Sequence, residues 1–199
     1  MSRMSVFSVW IVYSLFWFAG VCAFAFYNGV PPETAWSGPF FIWLAGIMTL
    51  MVARPEIRLA LLLAGIVGFL AELLGVHTDI VFSGYTYTAA FGSKFMEVPW
   101  VMVSAWIIVI GYATALFRAR IANPWLFALV GACWLVAIDL VIDPVAVYPM
   151  KIWIWEDPGH YYGIPFENFL GWFMVGFVCL YLVHRATPKY VPNPGLGAI

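Results

Sequence analysis

The chain has 199 residues, 64% hydrophobic and 10% charged, with a formal net charge of −1. A soluble domain carries roughly 45–50% apolar and 25% charged residues, and a chain this short cannot hide so much apolar surface unless a bilayer solvates its exterior. The near-neutral charge without any basic run excludes a nucleic-acid role. Three cysteines (Cys22, Cys133, Cys179), each inside an apolar run and without CxxC spacing, argue against a disulfide framework or a zinc site.

The first apolar run extends from Ser5 to Tyr27. It is longer than the apolar part of a signal peptide and no A-x-A site follows, so it is expected to be retained as a first helix. Further spans are expected at 37–53, 57–75, 98–117, 124–147 and 165–184, each an apolar run of about the length needed to cross ~30 Å of hydrocarbon. Pro31-Pro32, Arg54-Pro55, Asn123-Pro124 and Gly163-Ile164-Pro165 punctuate them. Two linkers, 76–97 and 148–164, are too long for simple turns. The expected fold is an all-α polytopic transmembrane bundle of about six spans. It forms a single domain over 1–187, with a flexible Pro- and Gly-rich tail at 188–199. With six spans, Arg3, Arg54, Arg58, Arg118, Arg120, Arg185 and Lys189 fall on one side and only Lys94 and Lys151 on the other. This bias predicts a multi-pass protein of the cell inner membrane with both termini cytoplasmic.

The acidic residues show the opposite bias. Glu33, Asp79, Glu97, Glu156 and Asp157 lie in the outer loops, and Glu72, Asp139, Asp143 and Glu167 sit within spans near their outer ends. Ionisable groups at membrane depth are costly and point by default to a functional site. Asp139 and Asp143, at i and i+4, share a helix face. For these two and for Glu72, burial and a helix C-terminus both favour the neutral acid, and the aspartates repel each other besides. At least one of the three is therefore expected to stay protonated and able to donate. The aspartates fit equally well a polar pair that anchors helices, and Glu72 could reach interfacial water. Glu167, at the start of a span behind Pro165, reads as structural, stabilised by the helix dipole.

The linkers carry Gly84-Tyr85-Thr86-Tyr87, then Trp153-Ile154-Trp155 and Gly159-His160-Tyr161-Tyr162-Gly163. Such residues gather at any membrane interface. The linkers are also long enough to fold back as a non-cytoplasmic aromatic and acidic cap, and aromatic faces beside a proton donor suit a carbocation. His77, His160 and His184 show no ligand spacing, no lysine lies within a span, and no Gly-rich loop follows a strand. No metal, haem, retinal or nucleotide site is expected, and no cofactor.

Ala71-Glu72-Leu73-Leu74-Gly75, Phe82-Ser83-Gly84-Tyr85-Thr86-Tyr87 and Val98-Pro99 resemble the carotenoid biosynthesis membrane family that includes the CruF-type carotenoid hydratases. The match continues in order through Asp139 to Asp143-Pro144, Trp153-Ile154-Trp155, Gly159 to Pro165, and Asn168-Phe169-Leu170-Gly171-Trp172. Ser83 stands where the family usually has glycine, and the chain is short for the family.

The resemblance implies addition of water to the terminal double bond of an acyclic carotenoid, of the lycopene, γ-carotene or fifty-carbon type. Glu72, Asp139 and Asp143 would share the acid and water-orienting roles. Tyr85, Tyr87, Trp153, Trp155, Tyr161 and Tyr162 would line the end-group pocket, and Asn168 would bind the water or bridge carboxylates. The implied partners are a hydrophobic polyene, water, the bilayer and other carotenoid enzymes. An acid-catalysed carotenoid cyclase or isomerase, and a non-catalytic carotenoid-binding membrane partner, remain the alternatives.

Overall fold

A computed structural model describes residues 3–27 and 29–188. The expected tail at 188–199 lies outside the described residues except for Pro188, and Lys189 lies outside them too. Six helices dominate: α1 (Arg3–Phe26), α2 (Ser37–Val52), α3 (Pro55–Thr78), α4 (Met102–Phe117), α5 (Pro124–Val147) and α6 (Phe166–Ala186). Four short strands occupy the linkers: β1 (Tyr85–Tyr87), β2 (Lys94–Phe95), β3 (Val98–Pro99) and β4 (Trp153–Trp155).

Local chemistry sets the boundaries. Pro55 and Pro124 open α3 and α5, where a missing N–H costs nothing. Asn123 caps α5 by accepting from the N–H groups of Trp125 and Leu126 at 2.9 and 3.1 Å. At the opposite end of the bundle from the linkers, arginines cover the carbonyls that helix C-termini leave open. Arg58 donates to Ala53 and Met51, Arg120 to Leu116, and Arg118 to Thr187 beyond α6.

The sequence predicts a fourth span over 98–117, but α4 begins only at Met102. Val98-Pro99 instead pairs with Lys94-Phe95 in a tight hairpin. Its two turn residues, Met96 and Glu97, both adopt positive φ (46° and 65°), as a two-residue hairpin turn demands. The apolar character runs on through this hairpin, so hydropathy does not mark the change.

Five spans, α2 counted with the short turn before it, are long and apolar enough to cross a bilayer, and α4 is a shorter apolar helix. This is an all-α helical membrane bundle. The helix α3 shows why: Ile57, Leu61, Ala64 and Phe69 are buried, while Leu59, Leu63, Ile66, Leu70 and Leu74 form an exposed stripe. A helix apolar all round needs lipid on its outer face. The main pairings are α5 with α6 and α3 with α4, followed by α2 on α4, α3 on α6 and α1 on α2. None of the side chains described on α1 is buried, so it lies at the rim of the bundle.

The two long linkers meet over one end. β1 and β4 pair antiparallel, with Tyr85 opposite Trp155, Thr86 opposite Ile154 and Tyr87 opposite Trp153. The two-residue period turns both tyrosines inward and leaves Thr86 and Ile154 exposed. Phe82 anchors the first linker, wedged against Gly75 of α3 and Gly171 of α6. A Cβ on Gly171 would stand 2.2 Å from the Val81 carbonyl oxygen and 2.5 Å from the Phe82 ring. Ser83 adopts φ 76°, in the left-handed region that favours glycine.

Two substitutions should therefore move stability in opposite directions. A Cβ at Gly68 would lie 2.1 Å from the buried Trp106 ring, so Gly68→Ala should destabilise by about 1–3 kcal/mol. Ser83→Gly should stabilise by on the order of 1 kcal/mol by relieving the backbone. Unfolding of the detergent-solubilised protein, followed by circular dichroism, reads both.

Candidate active site

The site begins with one carboxylate. Glu72 lies near the C-terminal end of α3, 4% exposed, where an unsatisfied charge or acid would be heavily penalised. Three donors meet it. Tyr85 and Tyr87 donate their hydroxyls to Oε2 at 2.5 and 2.8 Å, and Trp106 donates its indole N–H to Oε1 at 3.0 Å. Both tyrosines come from β1, where alternation puts them on one face. Trp106 comes from α4 and fits against α3 because residue 68 is glycine.

A second cluster stands alongside. Asp139 and Asp143 project from α5, both fully buried, and Asn168 reaches them from the first turn of α6. The Asn168 amide nitrogen donates to Asp139 Oδ2 at 2.8 Å and to Asp143 Oδ2 at 2.6 Å. Trp153 donates to Asp143 Oδ1 at 3.0 Å. Asp139 Oδ1 and the indole nitrogen of Trp155 are buried without a hydrogen-bond partner.

Between the clusters is a small cavity, with about 20 Å³ open to the centre of a water-sized sphere, room for about one water. It is lined by Glu72, Phe82, Tyr85, Tyr87, Met102, Trp153, Trp155, Asn168 and Trp172. Trp172 stacks on Trp106 with ring centroids 5.0 Å apart. Aromatic faces therefore surround a carboxyl, an amide and space for one small molecule. Among the described residues, no group of three or more His, Cys, Asp or Glu side chains could hold a metal ion.

The structure thus brings Glu72, Tyr85, Tyr87, Trp153, Trp155 and Asn168 to one cavity, with Asp139 and Asp143 behind Asn168. Tyr161 and Tyr162 are not brought to this cavity: they lie on the outside of the cap, 39% and 62% exposed. Tyr161 has another task. Pro144 sits inside α5 and has no N–H to offer the Leu140 carbonyl one turn earlier; the Tyr161 hydroxyl donates to that carbonyl at 2.9 Å. Tyr162 lends its own carbonyl to the Tyr148 hydroxyl at 2.8 Å. Glu167 is exposed in the first turn of α6. Sequence reasoning missed Phe82, Met102, Trp106 and Trp172. The glycines facing Trp106 and Phe82 were the available signal, though they show only once the helices are paired.

Fold and site together define a multi-span membrane protein with buried carboxyl groups under an aromatic cap. Residues 38–194 match the family described as carotenoid biosynthesis protein, and the chain belongs to that family. It is also similar to bisanhydrobacterioruberin hydratase from Haloarcula japonica, 28% identical over 174 residues covering 78% of this chain and 57% of the relative. The chain spans little more than half the length of that relative. No solved structure matches it.

Burial, and the Glu72 carboxyl beside them, hold the Tyr85 and Tyr87 phenols well above their ordinary value of 10. In the unfolded chain both would ionise near that value. The stability they contribute is therefore complete below pH 10 and is lost as pH rises beyond it. Spectrophotometric titration should show these two tyrosinates forming last, together with unfolding. Substituting phenylalanine at both positions should remove that late step.

Proposed function

We propose that the protein is a carotenoid hydratase, adding water across the terminal double bond of an acyclic carotenoid end group. The observation that carries this reading is the one-water cavity, flanked by buried carboxyl groups and walled by indole and phenol rings. Membership of the carotenoid biosynthesis family and the likeness to a hydratase support it from outside the geometry.

The chemistry requires these parts. A trisubstituted alkene is a weak base, so a positioned carboxylic acid must protonate its less substituted carbon. The cation forms on the tertiary carbon, where aromatic faces stabilise it by cation–π attraction. Water then adds there and gives up its surplus proton, leaving a tertiary alcohol. Excluding other water and bases keeps the cation from returning to alkene. Glu72, Asp139 and Asp143 supply the carboxyl groups. Tyr85, Tyr87, Trp153 and Trp155, joined by Trp172, supply the rings. The polyene would lie along the apolar bundle, and because the cavity holds about one water its tip reaches Glu72 only when the cap side chains move apart. On the arginine bias, the cap faces away from the cytoplasm and both termini face it, in the cell inner membrane. Other carotenoid enzymes are expected neighbours, since the substrate never leaves the bilayer.

Purified protein should be incubated in heavy-oxygen water with lycopene-type, γ-carotene-type and fifty-carbon acyclic carotenoids. The expected product is one water heavier per reacted end and carries the label. A ring-closed product of unchanged mass would replace this reading with a cyclase. Pigment bound and unchanged would replace it with a carrier.

A further inference from the structure

The three carboxyl groups do not stand in equivalent places. Glu72 lines the cavity, and neither Asp139 nor Asp143 does. A carboxyl group offers about four lone-pair positions. On Glu72, Tyr85 and Tyr87 take two at Oε2 and Trp106 takes one at Oε1. One position remains, on Oε1, from which a proton can be given and to which one can return.

The aspartates act on a different atom. An amide's orientation is fixed by its hydrogen-bond partners. Both N–H groups of Asn168 are committed, one to each aspartate. The reverse orientation would set the amide oxygen against two carboxyl groups. The aspartate pair therefore turns Asn168 Oδ1 away from itself, on a side chain that lines the cavity. That oxygen is an acceptor for one hydrogen of a water held there. The i, i+4 spacing on α5 gives the two acceptors the separation that a single NH2 group can bridge.

Resting on the hydratase reading, we propose a division of labour. Glu72 is the proton donor and the group that recovers the proton. Asn168 holds the attacking water, and Asp139 and Asp143 are positioning residues acting through Asn168. The cycle balances. The Glu72 proton forms the new C–H bond at the less substituted carbon and the alkene pair is consumed. A lone pair of the water forms the C–O bond at the tertiary carbon. The surplus proton of the added water returns to Glu72, so no co-reactant is needed.

The test separates protonation from water capture. In deuterium oxide, a cation that loses a proton before water adds returns to alkene carrying deuterium, so recovered substrate reports protonation and alcohol reports hydration. Glu72→Gln should lose both by at least about 100-fold, while Glu72→Asp, which keeps the acid, should retain measurable uptake. Asn168→Ala and Asp139→Asn should keep deuterium uptake while the ratio of alcohol to uptake falls by about tenfold, the weight of one water-holding hydrogen bond. Uptake surviving in Glu72→Gln but abolished in Asp139→Asn or Asp143→Asn would overturn the assignment. So would equal loss in both Glu72 variants, or a parallel fall of both signals in Asn168→Ala, since a merely structural role does not shift the ratio. A wild-type protein that yields neither alcohol nor uptake would overturn the hydratase reading itself.

Discussion

A carboxyl group buried at the end of a membrane helix has no bulk water to hydrate it, so the protein must bring donors to it. Glu72 poses this demand, and much of the cap is the response. Its three donors come from two elements, β1 and α4, both of which also pack against α3 at its glycines. Satisfying Glu72 fixes the height of β1 above the bundle. The ladder to β4 then fixes the second linker, and Trp153 on β4 reaches Asp143. A chain of hydrogen bonds thus joins α3, β1, β4, α5 and α6. Removing one member of such a network would leave a buried polar group unsatisfied, at a cost of about 3–5 kcal/mol.

Much of this could be read from residues alone, because lipid narrows the options. Six apolar runs punctuated by prolines specify helices, and carboxyl groups near their ends stand out against that background. Tyr85/Tyr87 and Trp153/Trp155 were legible as linker aromatics able to form a cap, though not as strands. What they could not announce is the register that sets one pair across from the other, since sequence spacing within a strand says nothing of its partner. The place of Tyr161 was hidden for a related reason. An aromatic residue among glycines in a loop looks the same whether it lines a pocket or, as here, satisfies a carbonyl that a proline has freed elsewhere. The late start of α4 was hidden because Val98, Pro99, Trp100 and Val101 are as apolar as the helix they precede.

Trp106 illustrates the remaining gap. A tryptophan within an apolar run is ordinarily assigned to the lipid boundary, and only the packing of α4 on α3 reveals it to be 1% exposed and bonded to Glu72. Residue 68 controls that placement from another helix. The peripheral helix α1 stands apart: the family match begins at residue 38, within α2, and α1 packs mainly on α2 without reaching the site. The residues that line the cavity thus all belong to α3, α4, α6 and the two linkers.

The ladder between β1 and β4 has a further consequence, for assembly. Its strands belong to separate helical hairpins, α3–α4 and α5–α6, which enter a bilayer one after the other and then associate. The strands can meet only when both linkers have emerged on the same face of the membrane. A chain with one hairpin inserted in the wrong sense would leave β1 and β4 on opposite faces of the membrane, each without its ladder partner. Closure of the cap therefore depends on both hairpins having the same orientation in the bilayer, a condition written into the ladder that also shapes the cavity.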